Sequence, residues 1–190
     1  MVEFQSVYKS FDQKNILTDF SYSFEKRGLY AIVGESGKGK TTFLRLIAHL
    51  ERPDKGQVTS PQQVAYSFQE YRLFHNLTVL DNIRLISFPK AKNEDIIKIC
   101  HYLKKLNLEN DKERYPDELS GGMKQRVSLI RAFVSDADVI LLDEPTKELD
   151  EGLCNTVVEI IQKLSKDKLV ILSTHSIEFA KAMNAQIISL

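Results

Sequence analysis

The sequence predicts an α/β fold with a mostly parallel core sheet, an antiparallel β subdomain and an inserted helical subdomain. Two continuous apolar runs, Val139–Leu142 and Leu169–Leu172, are typical of parallel strands buried on both faces. Two earlier segments, Val2–Val7 and Phe20–Phe24, alternate apolar and polar residues, as half-buried antiparallel strands do. The segment from about residue 71 to 120 shows helical patterns but no convincing strand. Strands and helices otherwise alternate, which indicates a βαβ sheet.

Further strands and helices follow from shorter patterns. Apolar runs predict strands at Leu29–Val33, Val64–Phe68 and Ile187–Leu190. Helices are predicted at Thr41–Leu50 and Asn93–Leu106. Two more helices carry apolar residues at helical spacing, namely Met123, Val127, Ile130 and Val134, and then Leu153, Val157, Ile160, Ile161 and Leu164. Packing against a core explains these stripes without any further function.

The composition limits the classes of function. The chain has 190 residues, 43% of them hydrophobic, which is enough for one α/β domain with a small subdomain. Lys+Arg and Asp+Glu number 26 each, so a broad basic face for nucleic acid is not expected. The two cysteines, Cys100 and Cys154, lie in separate helical patterns without metal-ligand spacing, and we interpret them as small apolar residues in a reduced compartment.

The sequence also bears on location. The first ten residues contain no apolar region of the kind found in secretory signals. No run approaches the roughly 18 apolar residues that a membrane helix needs. We therefore expect a cytoplasmic protein, which must dock on another chain if it works at a membrane.

The strongest local signal is a glycine-rich segment between a predicted strand and a predicted helix. It matches G-x-x-x-x-G-K-[ST] and consists of Gly34, Glu35, Ser36, Gly37, Lys38, Gly39, Lys40 and Thr41, with Thr42 next. Its glycines let the backbone wrap so that N–H groups point at phosphate oxygens, and the helix N-terminus adds partial positive charge. We expect Lys40 to reach the β- and γ-phosphates of a nucleotide and Thr41 to bind Mg²⁺.

Two carboxylates follow the apolar run Val139–Leu142. Asp143 and Glu144 then lie at the C-terminal end of a buried strand, where ligands of open α/β sheets bind. Asp143 is expected to hold Mg²⁺ through water, and Glu144 to orient or deprotonate the attacking water. Two acidic residues at a strand end are unremarkable alone, but they complement the glycine-rich segment.

A third segment, Leu119–Val127, identifies a family. Ser120 is placed to cap a helix, and Gly121 and Gly122 leave its first turn bare, so that a phosphate can approach the N–H groups. With Met123 and the following Lys-Gln-Arg-Val, the segment resembles the signature motif of ABC ATPases. The resemblance covers essentially the whole chain, and the form with methionine looks like importer ATPases for nitrate, sulfonate, taurine or similar organic ions.

The resemblance assigns roles to further residues. Gln69 looks like the Q-loop glutamine, which senses the γ-phosphate and Mg²⁺ and faces a transmembrane partner. His175 looks like the switch histidine that contacts the γ-phosphate, so Lys40, Gln69, Glu144 and His175 form the expected catalytic set. Asp150 belongs to the segment that resembles the D-loop. Phe11 stands where an adenine-stacking aromatic is expected, with Tyr8 as the alternative.

The resemblance also implies an assembly. Residues 1–190 form one ABC ATPase domain, in which 1–70 and 121–190 make the ATP-binding core and about 71–120 the helical subdomain. Two copies bind ATP and Mg²⁺ head to tail, and Ser120, Gly121, Gly122 and Met123 of each copy cover the nucleotide of the other. Transmembrane permease subunits are the further partners, and the location is peripheral, on the inner face of the cell membrane.

Alternatives and departures accompany this interpretation. An exporter-type ABC ATPase and a soluble, non-transport ABC ATPase remain open. A kinase or GTPase with the same phosphate loop would not need the segment Leu119–Met123, and no Asn-Lys-x-Asp guanine motif is present.

Lys38 and Glu148 replace residues that are usually small in the family. Because their charges are opposite, we hypothesise that they approach each other across the ATP-bound dimer; the alternative is that both side chains are simply solvated.

Overall fold

The computed structural model describes residues 1–11, 14–87 and 93–190. The strands are β1 (Val2–Phe11), β2 (Lys14–Phe24), β3 (Gly28–Val33), β4 (Lys55–Thr59), β5 (Ala65–Ser67), β6 (Val139–Asp143), β7 (Leu169–Thr174) and β8 (Gln186–Ser189). The helices are α1 (Lys40–Ile47), α2 (Val79–Ser87), α3 (Asn93–Lys105), α4 (Gly121–Val134), α5 (Glu151–Leu164) and α6 (Ile177–Ala182). None of the helices in these ranges is long and apolar enough to cross a membrane.

The larger sheet has five parallel strands in the order β5-β6-β7-β3-β8. Every residue of β6 and β7 is buried, which confirms the prediction from their continuous apolar runs. Alternate residues of β3 enter two different cores. Ala31 and Val33 pack with the side of the sheet that α4 and α5 cover, whereas Tyr30 and Ile32 pack with α1 and the smaller sheet. β3 is thus covered on both faces.

The smaller sheet is antiparallel, with the order β2-β1-β4. The predicted strands Val2–Val7 and Phe20–Phe24 belong to it, but both are longer than expected. β4 was not predicted, since Val58 is its one side chain that is even partly buried and no apolar pattern marks it. The chain enters β4 through Gly56, whose φ is 80° and whose missing side chain lets the backbone of Ser6 pass.

Other boundaries differ slightly from the predictions. The first helix begins at Lys40 and ends at Ile47, whereas Thr41–Leu50 was expected, and β5 is shorter than Val64–Phe68. The last strand is displaced by one residue, from Ile187–Leu190 to Gln186–Ser189. Cys100 is exposed rather than packed in a core, and Cys154 is half-buried.

The described part of the segment 71–120 is helical. It contains α2, α3 and two short 3₁₀ turns, at Glu109–Asp111 and Pro116–Glu118, and no strand among its described residues. Asn82 is fully buried and ties the start of this segment together, because its side chain accepts from Phe74 N–H at 2.8 Å and donates to Phe74 O at 3.0 Å. The division of the chain at residues 71 and 120 stays a prediction.

The topology brings four of the predicted site segments to one edge of the larger sheet. The glycine-rich segment follows β3, Gln69 follows β5, Glu144 follows β6 and His175 follows β7. All four strands are parallel, so their carboxyl ends lie at the same edge, where open α/β sheets bind ligands.

Candidate nucleotide-binding site

The glycine-rich segment turns sharply into α1. Gly37 and Gly39 have φ values of 75° and 98°, in the left-handed region that favours glycine. At Gly39 a side chain would also collide with Ile16 of β2, so glycine is required there for two reasons. Lys14 of the same strand donates from Nζ to Gly37 O at 2.7 Å. The smaller sheet therefore braces the outside of this loop.

Lys40 lies inside the loop that it follows. Its Nζ donates to Gly34 O at 2.8 Å and to Glu35 O at 3.1 Å, and it lies 3.9 Å from Glu144 Oε1. The residue is only 5% exposed. A cation held by two carbonyl groups at the mouth of a helix N-terminus is arranged for an anionic ligand.

Asp143 ends β6 as a buried carboxylate with two hydroxyl donors. Ser173 Oγ donates to Asp143 Oδ1 at 2.6 Å, and Tyr66 OH donates to Asp143 Oδ2 at 3.4 Å. Asp143 is 3% exposed. Burial raises the pKa of Tyr66 far above its usual value, and the negative charge of Asp143 adds to the effect. Tyr66 therefore stays protonated and remains a donor to the carboxylate.

Glu144 has an unusual backbone conformation, with a φ of 49°. Such a conformation costs a non-glycine residue about 1–3 kcal/mol, so the surroundings must hold it. Its N–H donates to Ser173 Oγ at 2.9 Å. Its carboxylate lies between two lysines, with Oε1 at 3.9 Å from Lys40 Nζ and Oε2 at 3.6 Å from Lys147 Nζ.

Lys40 and Glu144 face one open cleft of about 500 Å³, within the range of small-molecule sites. The residues that line it are Phe11, Ile16, Ser36, Gly37, Gly39, Lys40, Thr41, Thr42, Gln69, Glu144, Lys147 and His175. Ten of the twelve were predicted as site residues, and Ile16 and Lys147 were not. Gly34, Glu35 and Lys38 belong to the same loop but do not line the cleft.

Thr41, Gln69 and Asp143 line a smaller recess of about 50 Å³ next to the cleft. Its other lining residues are Arg45, Phe68, Glu70 and Arg72. Their hydroxyl, amide and carboxylate oxygens are the hard donors that Mg²⁺ prefers, and few protein ligands are typical of a Mg²⁺ that also binds phosphate. The donor set present in the structure thus fits the metal that the sequence predicted.

Phe11 is 45% exposed at the end of β1 and forms part of the cleft wall. Lys9, two residues earlier on the same face, places its Nζ 4.7 Å from the centre of the Phe11 ring. Lys9 is itself held by Glu51 at 3.0 Å and Asp54 at 3.3 Å. Tyr8, the alternative aromatic, is not among the residues that line the cleft.

The predicted signature residues lie at the start of α4, outside the cleft. Ser120 caps the helix, accepting from Met123 N–H at 3.3 Å. Gly121 and Gly122 lie against Glu148 of the same chain, and a Cβ at Gly122 would come 2.8 Å from Glu148 O. These residues therefore do not line the nucleotide cleft of their own chain. The predicted contact with the nucleotide of a second copy requires such a position.

The loop after Glu144 is fastened to α4 by a residue that the sequence did not reveal. The Gln125 side chain donates from Nε2 to Glu144 O at 3.0 Å and accepts from Glu148 N–H at 3.0 Å. Tyr71 approaches the same loop and hydrogen-bonds to the Glu148 side chain. Burial and this hydrogen bond raise the pKa of Tyr71 to about 12. Asp150 ends the loop as the cap of α5, accepting from Leu153 N–H at 2.9 Å.

The family model and similar relatives point to the same family. Residues 17–147 match the family described as ABC transporter. The L-cystine import ATP-binding protein TcyN of Bacillus subtilis is 34% identical over 210 residues, covering 99% of this chain and 81% of that protein. The aliphatic sulfonates import ATP-binding protein SsuB 1 of Shouchella clausii is 40% identical over 178 residues, covering 92% of this chain and 70% of that protein.

Comparison with solved structures agrees. A dimeric ATP-binding cassette in a post-hydrolysis state, bound to ADP and Pi, is 27% identical with a TM-score of 0.87 and covers 100% of this chain and 94% of its own. An ATP-binding subunit of an ABC transporter has a TM-score of 0.91 at 24% identity, with 100% of this chain and 85% of that chain covered, and supports the fold.

Proposed function

This chain belongs to the ABC transporter family of ATP-binding, ATP-hydrolysing subunits, and we propose that it powers the import of a small organic ion. The cleft carries the proposal, because one cavity collects the phosphate loop, Lys40, Gln69, Glu144 and His175. The proposed direction of transport, import, rests on the relatives, which are named as ATP-binding proteins for the import of L-cystine and of aliphatic sulfonates. Both of those solutes are small organic ions.

ATP binds along the cleft from Phe11 to Lys40. The half-exposed ring of Phe11 offers a stacking surface for adenine, and Lys9 behind it fixes the ring. The backbone N–H groups of the phosphate loop and the start of α1 bind the β- and γ-phosphates. Lys40 exchanges its two carbonyl partners for phosphate oxygens.

Thr41, Gln69 and Asp143 are the residues that would hold Mg²⁺ in the recess beside the cleft. When bound, the metal neutralises negative charge on the phosphates during transfer. Asp143 is kept oriented by Ser173 and Tyr66.

Glu144 serves as the base for the attacking water. Its carboxylate reaches the cleft from the end of β6 and lies within 4 Å of Lys40 and Lys147, which hold it in place there. His175 reaches the cleft from the end of β7 and contacts the γ-phosphate. The cleft is open on one side, so water must be excluded by another surface.

A second copy of the chain supplies that surface. Ser120, Gly121, Gly122 and Met123 lie outside their own cleft, at a capped helix start that suits a phosphate of the partner's ATP. Asp150 and its loop lie beside them at the same interface. The similar ATP-binding cassettes of known structure include dimeric ones, which supports a pair. The head-to-tail arrangement is proposed because the signature residues lie outside their own cleft.

Transmembrane permease subunits are the further partners, and they hold the protein at the inner face of the membrane. The helical segment 71–120 begins two residues after Gln69, so a permease that docks there is linked directly to the Mg²⁺ recess. Residues 1–70 and 121–190 form the ATP-binding core in this proposal.

The test of hydrolysis is Glu144→Gln, with Glu159→Gln on the exposed face of α5 as the matched control. Loss of the base is expected to lower kcat by at least about 100-fold, since general bases contribute 10²–10⁴-fold. ATP binding should persist, and gel filtration with Mg-ATP should show a dimer. Turnover at the rate of the Glu159→Gln control would remove Glu144 from the proposed role.

The test of import uses the co-purified permease complex in vesicles, with L-cystine and an aliphatic sulfonate as probes. Import predicts that one of these solutes accumulates on the side where ATP is hydrolysed. Movement away from that side would contradict import and leave ATP hydrolysis standing.

A further inference from the structure

Ser173 lies at the centre of the larger sheet, next to both acidic residues of the site. It belongs to β7, pairs in parallel register with Asp143 of β6, and is fully buried. Its hydroxyl group donates to Asp143 Oδ1 at 2.6 Å and accepts from Glu144 N–H at 2.9 Å. One buried side chain therefore contacts two consecutive residues with different proposed roles.

Each of these two contacts meets a specific need. Asp143 is a buried carboxylate beside the Mg²⁺ recess, and the hydroxyl donor on its Oδ1 fixes the orientation of the group. Glu144 has a φ of 49°, and the bond from its N–H to Ser173 helps to hold that backbone conformation. One hydroxyl group can meet both needs, because it donates one hydrogen bond and can accept another.

We propose that Ser173 is a positioning residue for ATP hydrolysis, which sets Asp143 and Glu144 in one fixed relation. This proposal rests on the proposed function, because it concerns how the two carboxylates of that function are positioned. Ser173 does not line the cleft and touches no substrate. It acts through its two neighbours: Asp143, proposed to hold Mg²⁺, and Glu144, proposed to activate the attacking water.

A second pair of buried hydroxyl groups provides a matched control. Ser67 of β5 and Ser128 of α4 lie 3.0 Å apart between their Oγ atoms and are nearly as buried as Ser173. Neither group contacts Asp143 or Glu144 in the structure. Ser128→Ala thus removes a buried hydroxyl bond of the same kind without touching the acidic residues.

The experiment compares Ser173→Ala with Ser128→Ala at a temperature where both are folded by circular dichroism. We expect Ser173→Ala to lower kcat at least fivefold relative to Ser128→Ala. Affinity for ATP in EDTA should change less than twofold, because the phosphate loop is intact, whereas the gain in affinity on adding Mg²⁺ should shrink. A kcat ratio below fivefold overturns the proposal.

A second comparison remains informative if Ser173→Ala does not fold. Ser173→Thr and Ser173→Val have nearly the same shape, and only threonine keeps the hydroxyl group. We expect turnover at least fivefold higher in the threonine variant. Equal turnover in the two variants overturns the proposal, since the hydroxyl group would then contribute only packing.

A measurement independent of activity separates this proposal from the proposed function. In a double-mutant cycle on urea unfolding, Ser173→Ala and Asp143→Asn should together shift the midpoint by less than the sum of their separate shifts. A wild-type protein that binds but does not hydrolyse Mg-ATP would refute the proposed function alone. Additive midpoint shifts would refute the Ser173–Asp143 contact whatever the turnover.

Discussion

Replacing Gln125 by leucine should release the loop after Glu144 from α4. The Gln125 side chain bonds at both ends to backbone groups of that loop, Glu144 O and Glu148 N–H, each at 3.0 Å, and is only 7% exposed. Leucine is similar in size and favourable in a helix, so packing and helix propensity change little. The substitution removes chiefly the two hydrogen bonds.

The expected cost follows from those two bonds. A hydrogen bond contributes about 1 kcal/mol net, and a backbone group left without a partner in a part-buried place costs about 1–3 kcal/mol. We therefore expect the free energy of unfolding to fall by about 2–3 kcal/mol. For a chain of this length that corresponds to a Tm lower by roughly 5–10 °C.

The matched control is Gln162→Leu on α5. Gln162 makes one comparable bond, from Nε2 to Met183 O at 3.2 Å, at a distance from the site residues. Urea unfolding and thermal unfolding of both variants give the stability difference, and ATP turnover gives the effect on Glu144. We expect Gln125→Leu to be the less stable variant and to lose turnover, because Glu144 O has lost an anchor. Equal stability and equal turnover of the two leucine variants would refute this reasoning.

Three other experiments test the site and the dimer. Lys40→Ala should abolish tight Mg-ATP binding, because it removes the cation that faces the phosphates; affinity within about threefold of wild type, roughly 0.7 kcal/mol, would contradict that role. His175→Ala should slow turnover strongly while nucleotide binding persists, and unchanged turnover would exclude it from the reaction. Charge reversal at Lys38 or Glu148 alone should weaken ATP-driven dimerisation, and reversal at both should restore part of it. A coupling energy of zero in that double-mutant cycle on dimer affinity would exclude the pair.

The last of these predictions meets a competing contact in the structure. Lys38 is exposed and free to turn towards a second chain, but the Glu148 carboxylate lies against Gly121 and hydrogen-bonds to Tyr71 of its own chain. A pair across the dimer must share or replace that bond. Tyr71→Phe is therefore expected to strengthen any coupling between Lys38 and Glu148.

The parallel core and the phosphate loop were predictable because local sequence determines them. Val139–Leu142 shows its burial as an unbroken apolar run, and the loop from Gly34 to Thr41 combines glycine spacing with a strand before it and a helix after it. β4 escaped prediction because Lys55–Thr59 has almost no buried side chain. α6 escaped because six residues are too few for a clear helical period.

The supporting residues of the site were not predictable for a different reason. Ser173 meets Asp143, 30 residues earlier in the chain, only because β6 and β7 pair in one particular register. Gln125 meets Glu144 because α4 packs beside the end of β6. Neither contact leaves a pattern in the neighbouring sequence. Lys147 likewise gives no signal until the turn after Glu144 directs it into the cleft.

The contact between Gly39 and Ile16 has a consequence for the architecture as a whole. Ile16 and Phe11 come from the antiparallel sheet, whereas Lys40 and Glu144 come from the parallel sheet and its loops, yet all four line one cleft. A bound nucleotide would join the two sheets and add its binding free energy to their junction. Amide hydrogens of β2, which contributes no group to the proposed chemistry, should then exchange more slowly when ATP is present. In this view the substrate also acts as a structural element of the fold that hydrolyses it.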